Sequence, residues 1–193
     1  MSIFQVLFKA WIEVALIEET AKFAIMYFVG YNNRALDETY DILIYAIFVA
    51  LGFAAFENII YALDFDSMAV VIKRCLFSVP GHVAFAINSA YFLCLAKLYK
   101  LKHNEKESKI NICKAIFVPT VLHGIFDFCL MVDNNIYYFI FIVYTILTFY
   151  IVFKQAMLIK DYNIQLFHVE KVCKNCNQKF YGYYCYNCKK KIY

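Results

Sequence analysis

Long apolar stretches separated by short polar connectors make up most of this chain. A helix needs about 20 predominantly apolar residues to cross the hydrocarbon core of a bilayer, and the stretches meet that length repeatedly. The pattern predicts an all-α, polytopic bundle of about five membrane-spanning helices. These spans are roughly residues 3–30, 41–63, 70–98, 112–133 and 136–159.

Composition agrees with a membrane protein. Hydrophobic residues are 63% of the chain, whereas a soluble domain is nearer half apolar. Residues 1–160 are predicted to form one transmembrane domain, and residues 161–193 a small polar tail rich in cysteine. The first stretch lacks a small-residue cleavage site, so we expect no cleavable signal peptide. The net charge of +4 comes from lysines in connectors and tail, and does not indicate nucleic-acid binding.

The lysines also predict an orientation. The connector 99–111 is strongly basic, which favours the cytoplasmic side of the membrane. The turn at 133–135 then lies outside, the tail lies in the cytoplasm and the N-terminus lies outside. Lys73 and Arg74 argue in the opposite direction, because this topology brings them near the outer face. We expect an integral protein of the plasma membrane with a cytoplasmic tail.

Ionisable residues lie inside four of the apolar stretches. Those that are candidates for a functional site are Glu18, Glu19 and Lys22 in the first, Glu57 in the second, His82 in the third, and His123 and Asp127 in the fourth. A charged side chain at the bilayer centre costs about 2.5–3.5 kcal/mol even on the lenient insertion scale. Scattered in lipid, these groups would offset the insertion energy of their spans. The sequence therefore predicts that they meet in one protein-lined site between the helices.

Their spacing places several of them on shared helix faces, because residues four apart are neighbours on a helix. EETAK at 18–22 follows the pattern EExxK, FAAFE at 53–57 the pattern FxxxE, and HGIFD at 123–127 the pattern HxxxD. PGHVAF surrounds His82. This order resembles the PrsW family of intramembrane proteases. That family is distantly similar to the type II CAAX prenyl endopeptidases and bacteriocin-immunity-type membrane proteins, whose motifs are EExxxR, FxxxH and HxxxN.

The resemblance implies catalytic roles. Glu18 and Glu19 would supply the carboxylate that acts as general base on water, and Lys22 would keep a neighbouring carboxylate charged. Glu57 would stand where the prenyl proteases have a water-activating histidine. Such an enzyme would need no metal at this site and would cut a single-span or otherwise membrane-anchored protein. The family is associated with regulated proteolysis of membrane-anchored anti-sigma factors.

The histidines would complete that site. By the same resemblance, His123 would polarise the substrate carbonyl or stabilise the oxyanion, and Asp127 would orient it. His82 matches a family histidine less specifically. One oxyanion donor is worth about 2.7–4 kcal/mol in the transition state.

Other interpretations of the same residues stay open. Glu18 with Lys22, and His123 with Asp127, can be structural pairs, while Glu57 and His82 can be packing partners. A metal-dependent protease is a second alternative, with His82, His123, Glu57 and Asp127 as ligands, although no HExxH motif is present. A third is a non-catalytic transporter or scaffold with a zinc-binding tail. A transporter is disfavoured because about five spans, with no repeated half among them, are few for a transporter.

The tail carries a metal-binding pattern. Its cysteines form two CxxC pairs, Cys173 with Cys176 and Cys185 with Cys188. Two such pairs are typical of a tetrahedral structural zinc site, and a tail this short needs a metal or disulfides to fold. Two disulfides are the alternative, disfavoured in a reducing cytoplasm. We predict a compact Zn2+ ribbon that supports partner binding or regulation.

Overall fold

The computed structural model describes residues 2–31, 33, 38–64, 68–132, 134–161, 171–180, 184–185, 187–188 and 190–191. The N-terminal segment is helical throughout but irregular. Helix α1 (Ile3–Phe8) leads into a π-helical segment (Lys9–Ala15), then into α2 (Leu16–Ile25) and a second π-helical segment (Met26–Tyr31). Ser2 and Gln5 begin α1 with a reciprocal capping box, which satisfies amide groups at the helix start.

Four long helices follow the N-terminal segment. They are α3 (Thr39–Asp64), α4 (Met68–Leu101), α5 (Glu105–Met131) and α6 (Asn135–Asp161). Each contains a run long and apolar enough to cross a membrane. Among the described residues, four helices meet this requirement. The predicted all-helical membrane bundle is therefore confirmed, but the count of five spans is not. The predicted first span, 3–30, corresponds to the segment broken by π-helical turns.

Helix ends differ most from prediction at the basic connector 99–111. Helix α4 continues to Leu101 and α5 begins at Glu105, so only a short turn joins them. His103 takes a left-handed conformation in this turn, with φ of 54°. Asn104 then caps α5 by accepting a hydrogen bond from the Glu107 backbone N–H at 3.2 Å. The charged residues that predicted a loop instead extend the two helices beyond their apolar parts.

The other predicted connectors lie partly outside the described residues. Half of the connector 31–40, half of 64–69 and Asp133 of the turn at 133–135 belong to this group. In the described part of that turn, the Asn134 side chain accepts a hydrogen bond from the Ile136 backbone N–H at 2.9 Å, and α6 begins at Asn135.

Helix α4 is the centre of the bundle and packs against α3, α5 and α6. Small residues allow the close approach: Ala46, Ala50 and Ala54 repeat at intervals of four on α3, and Ala86 and Ala90 do so on α4. Pro80 lies within α4, which runs through it without ending.

The N-terminal segment is fixed to α5 by Trp11. Its indole covers Gly124, where an added Cβ would overlap the ring, and it packs against Phe128 with ring centroids 5.7 Å apart. Gly124 follows His123 directly. The contact therefore sets the position of the first segment against the helix that carries a predicted site histidine.

The tail contains two short antiparallel hairpins. Strands β1 (Lys171–Val172) and β2 (Lys179–Phe180) pair with each other, as do β3 (Tyr184–Cys185) and β4 (Lys190–Lys191). Apart from these strands, the regular structure of the described residues is helical.

Candidate active site

All seven ionisable residues predicted from the apolar stretches lie in one connected cluster. Glu18, Glu19 and Lys22 come from α2, Glu57 from α3, His82 from α4, and His123 and Asp127 from α5. The cluster therefore lies between four helices, in line with the prediction that the ionisable residues of four stretches meet in one site. Four of its members, Glu19, Lys22, His82 and His123, are buried.

Lys22 is the fully buried centre of the cluster. Its ammonium lies 2.6 Å from Glu19 Oε1 and 2.8 Å from His82 Nδ1, and it faces the Phe53 ring at 4.6 Å. A buried ammonium is stable only when hydrogen-bonded and paired with charge. Lys22 thus joins α2 to α4 and neutralises Glu19.

His123 is held by carboxylates on both sides of its ring. Nδ1 lies 2.9 Å from Glu19 Oε1, and Nε2 lies 3.4 Å from Asp127 Oδ2. Phe85 stacks on the imidazole, with centroids 4.9 Å apart and planes inclined by 22°. The ring is therefore fixed in orientation by hydrogen bonding and by stacking.

His82 is oriented in a similar way from the opposite side. Its Nε2 lies 2.8 Å from Glu57 Oε2 and 3.2 Å from Ser78 Oγ. The other oxygen of Glu57 pairs with Arg74 Nη2 at 2.6 Å. The chain of contacts therefore runs from Arg74 through Glu57 to His82 and on to Lys22.

The donors and acceptors assign tautomers to both rings. An ammonium can only donate, so His82 Nδ1 accepts from Lys22 and its proton lies on Nε2, which donates to Glu57. Ionised Glu19 can only accept, so His123 Nδ1 carries a proton that it donates. His82 Nδ1 and His123 Nε2 are left as the ring atoms nearest to Glu18.

Glu18 stands where these atoms face one another. Its Oε2 lies 3.7 Å from Lys22 Nζ, 4.0 Å from His82 Nδ1 and 3.9 Å from His123 Nε2. This oxygen is buried, yet it accepts no hydrogen bond from any residue that the structure describes. A buried carboxylate oxygen without a partner is costly, so the arrangement calls for a water, a substrate atom or a cation there.

Four residues of the cluster are partly exposed, and we call them its open side. Glu18 and Glu57 each keep 15% of their side-chain surface exposed, and Arg74 and Asp127 keep 17%, against 4% or less for the buried members. The carboxylates of Glu18, Glu57 and Asp127 are therefore more accessible than the buried ammonium of Lys22.

Sequence reasoning missed Arg74, Ser78 and Phe85 as members of the site. Arg74, Ser78 and His82 follow at intervals of four, which places them on one face of α4. That spacing is the signal in the sequence that could have identified Arg74 as a member of the site. Phe85 carried no signal, because phenylalanine is frequent throughout the apolar stretches.

The four tail cysteines form a second cluster. The sulfurs of Cys173 and Cys188 lie 3.6 Å apart, those of Cys176 and Cys185 lie 3.5 Å apart, and all four fall within 4.8 Å of one another. Cys173 and Cys185 are buried, and all four are free thiols. This cluster can hold a metal ion.

Comparisons with known proteins agree with the motifs. The family model described as "PrsW family intramembrane metalloprotease" matches residues 2–154. The "Protease PrsW" of Clostridioides difficile (strain 630) is 29% identical over 181 residues, which cover 92% of this chain and 69% of that protein. The "Protease PrsW" of Oceanobacillus iheyensis is 35% identical over 122 residues, 63% of this chain and 54% of that protein.

A third relative is similar to the same extent. The "Protease PrsW" of Bacillus subtilis (strain 168) is 30% identical over 132 residues, 68% of this chain and 58% of that protein. The chain thus spans between about half and just over two thirds of the length of these relatives. No solved structure matches it.

Proposed function

Because the chain belongs to the PrsW family of intramembrane proteases, we propose that it is an endopeptidase that hydrolyses a peptide bond of a membrane-anchored protein. The observation that carries the proposal is the unpartnered Glu18 Oε2, which faces two histidines, each oriented by a carboxylate. A single-span protein such as an anti-sigma factor is the substrate class that we infer. The chain itself is an integral membrane protein.

Glu18 is the general base in this proposal. A water between Glu18 Oε2 and His123 Nε2, which lie 3.9 Å apart, donates its proton to Glu18 as its oxygen attacks the carbonyl carbon. The carbonyl π electrons move onto oxygen, and His123, in the doubly protonated form that carries a proton on Nε2 as well as on Nδ1, donates to that oxyanion. Glu18 then returns the proton to the leaving amine as the C–N bond breaks. Glu19 and Asp127 hold His123 in position for this step.

A divalent metal at the same atoms is the second candidate. Two histidines and a glutamate are a familiar ligand set for catalytic zinc, and here Glu18, His82 and His123 offer ligand atoms within 4.8 Å of one another. Each histidine is also held through its other nitrogen by Glu57 or Glu19, as metal-ligating histidines are.

Charge and the family description also favour a cation. The four carboxylates of the cluster face two permanent cations, Lys22 and Arg74. The residues fit a metal provided that Lys22 gives up its bond to His82 Nδ1, because a metal would use the same lone pair. A bound metal would polarise the carbonyl and acidify its bound water. In that case Glu18, His82 and His123 serve as ligands.

The proposal is tested by cleavage in proteoliposomes. The purified chain is reconstituted with a panel of fusion proteins, each carrying one apolar span between two reporters, and new termini are mapped by mass spectrometry. We expect cleavage within or beside the span of at least one fusion, and at least a hundredfold slower cleavage by His123→Ala, since losing one oxyanion donor costs about 10²–10³-fold in kcat. Cleavage by His123→Ala at the wild-type rate would show that this cluster does not carry out the reaction.

The same assay separates the two candidates. If Glu18 is the base, activity persists after dialysis against a chelator that strips transition metals from the membrane domain. If a metal is required, activity falls after dialysis and returns with added Zn2+. The metal content of a variant without the tail cysteines is measured with and without the further change His123→Ala. Metal that is lost on the His123→Ala change belongs to the membrane site.

For the tail we propose a structural zinc ion held by its four cysteines. Tetrahedral zinc with Zn–S bonds of about 2.3 Å places its sulfurs about 3.8 Å apart, close to the two shortest separations of 3.5 and 3.6 Å. The short hairpins β1–β2 and β3–β4 have little apolar core, so the metal supplies the free energy that folds them.

Removing two ligands should abolish this site. We expect Cys173→Ser with Cys176→Ser to lower the zinc content of the purified chain by about one ion, because two thiolates cannot hold structural zinc. The matched control is Cys75→Ser with Cys113→Ser, two exposed cysteines outside the cluster, which should keep the ion. Elemental analysis measures both, and unchanged zinc in the tail variant would contradict the assignment.

We also propose that the tail is cytoplasmic and that the protein resides in the plasma membrane. Helices α4, α5 and α6 follow one another through short turns, so the lysine-bearing end of α4 and the end of α6 lie on the same side if each crosses the membrane. The basic residues around 99–111 favour the cytoplasm for that side. A zinc-bound tail there would be a surface for a regulatory partner.

A further inference from the structure

Arg74 is the basic residue on the open side of the cluster, where the other described residues are carboxylates. Its guanidinium contacts groups on two helices. Nη2 pairs with Glu57 Oε1 at 2.6 Å and donates to Ser78 Oγ at 3.3 Å, while Nε donates to Asn58 Oδ1 at 3.1 Å. The guanidinium also faces the Tyr61 ring at 3.7 Å. Planar stacking and several donors at once are what arginine provides and lysine does not.

These contacts divide the two oxygens of Glu57 between two partners. Oε1 is taken by Arg74, and Oε2 accepts from His82 Nε2 at 2.8 Å. Ser78 contacts Arg74 and His82, so it supports the same link from α4. A Glu57 carboxylate released from Arg74 would be free to rotate toward the open side, and His82 would then lose the acceptor that fixes its proton on Nε2.

We infer that Arg74 is a positioning residue for peptide hydrolysis, acting through Glu57 to keep His82 Nδ1 directed at Lys22 and Glu18. The inference rests on the proposed function, since it assigns a role within the same site. Arg74 does not reach the atoms around Glu18 Oε2 itself. Its effect should therefore fall on the chemical step and not on substrate binding.

The experiment uses the full-length chain in proteoliposomes with a fusion protein that the wild type cleaves. We expect Arg74→Ala to lower kcat by about 10–100-fold, the usual effect of losing a partner that orients a site histidine, with KM changed less than twofold. Free guanidinium ion should restore part of the lost kcat, because it can occupy the gap beside Glu57. Arg74→Lys should stay impaired, since an ammonium cannot donate to Glu57, Asn58 and Ser78 in the same geometry.

Two variants serve as references. Lys154→Ala removes a cation that faces Tyr150 at 5.6 Å on an exposed face of α6, and should leave kcat and guanidinium response unchanged. Glu57→Gln should be slow and not rescued by guanidinium. If Glu57→Gln cleaves normally, the proposed role of Glu57 fails. If Glu57→Gln is slow but Arg74→Ala or Arg74→Lys matches the wild type, only the inference about Arg74 fails.

A purely structural role would give another result. The loss in Arg74→Ala would then follow a lowered unfolding temperature and would not respond to guanidinium, which overturns the inference. If Arg74→Ala does not fold, Arg74→Lys decides the question. A kcat below the wild type at unchanged KM and unfolding temperature supports the positioning role, and any other result opposes it.

Discussion

Replacing Glu18 by Gln is expected to lower kcat for cleavage by about 10²–10⁴-fold, the contribution of a general acid–base group, while the protein stays folded. Gln has nearly the same volume as Glu but cannot take a proton from water. Because Glu18 Oε2 accepts no hydrogen bond within the described structure, the change breaks no hydrogen bond of that oxygen. The initial rate of fusion-protein cleavage in proteoliposomes measures the effect.

Glu13 supplies the matched control for Glu18. It lies on the same N-terminal segment, is exposed and has no place in the cluster, so Glu13→Gln should cleave at the wild-type rate. If Glu18→Gln turns over the substrate as fast as Glu13→Gln, Glu18 is neither base nor metal ligand. The unfolding temperature of both variants should equal that of the wild type.

Loss of the Glu19 carboxylate is expected to affect the stability of the protein as well as its activity, unlike loss of the Glu18 carboxylate. Glu19 Oε1 is bonded to Lys22 at 2.6 Å and to His123 at 2.9 Å, and the residue is buried. Breaking one side of a buried ion pair typically costs about 3–5 kcal/mol, because a charge is left uncompensated. Glu19→Gln should therefore lower both activity and stability, whereas Glu18→Gln lowers activity alone. The two adjacent glutamates are thus expected to have separate roles, Glu18 in the chemical step and Glu19 in organising the site.

The sequence was sufficient to place the cluster in outline. A charged side chain exposed to lipid is energetically costly, so Glu57 and His82 were expected to contact polar groups on other spans. Spacings of four also predicted the Glu18–Lys22 and His123–Asp127 contacts, at 3.7 and 3.4 Å. These inferences needed only helix periodicity and the solvent properties of the bilayer.

Partner choice between helices could not be predicted in the same way. Whether Glu18 or Glu19 would bond His123 depends on how α2 is rotated against α5, and the structure pairs Glu19 with that ring. The rotation in turn depends on the π-helical segment Lys9–Ala15, which changes the residues per turn before α2 begins. No residue pattern in that segment distinguishes a π-helical turn from an α-helical one.

Arg74 illustrates a second limit of sequence reasoning. An arginine near the end of an apolar stretch is ordinarily an interfacial residue that indicates orientation. Its role in the cluster follows from Glu57 lying opposite on α3, which is a result of tertiary packing. The intervals of four from Arg74 to His82 become informative only once that helix pair is known.

The contact between Trp11 and Gly124 provides the second large expected effect. A methyl group at position 124 would overlap the indole, so Gly124→Ala must displace Trp11 and with it the segment that carries Glu18. Displacing a catalytic group by about 1 Å can cost about 10²-fold in rate, and overpacking a core costs about 1–3 kcal/mol. We expect Gly124→Ala to lower kcat/KM at least about a hundredfold, measured in the proteoliposome assay.

Gly52 and Trp11 provide the controls for this effect. Gly52 lies within α3 with no atom close to the position of an added Cβ, so Gly52→Ala should keep full activity and gain up to about 1 kcal/mol from helix propensity. Replacing Trp11 by Leu in the Gly124→Ala background makes room for the methyl group, and should recover part of the lost rate. Wild-type activity in Gly124→Ala, or no recovery in the double variant, would show that this contact does not set the position of Glu18.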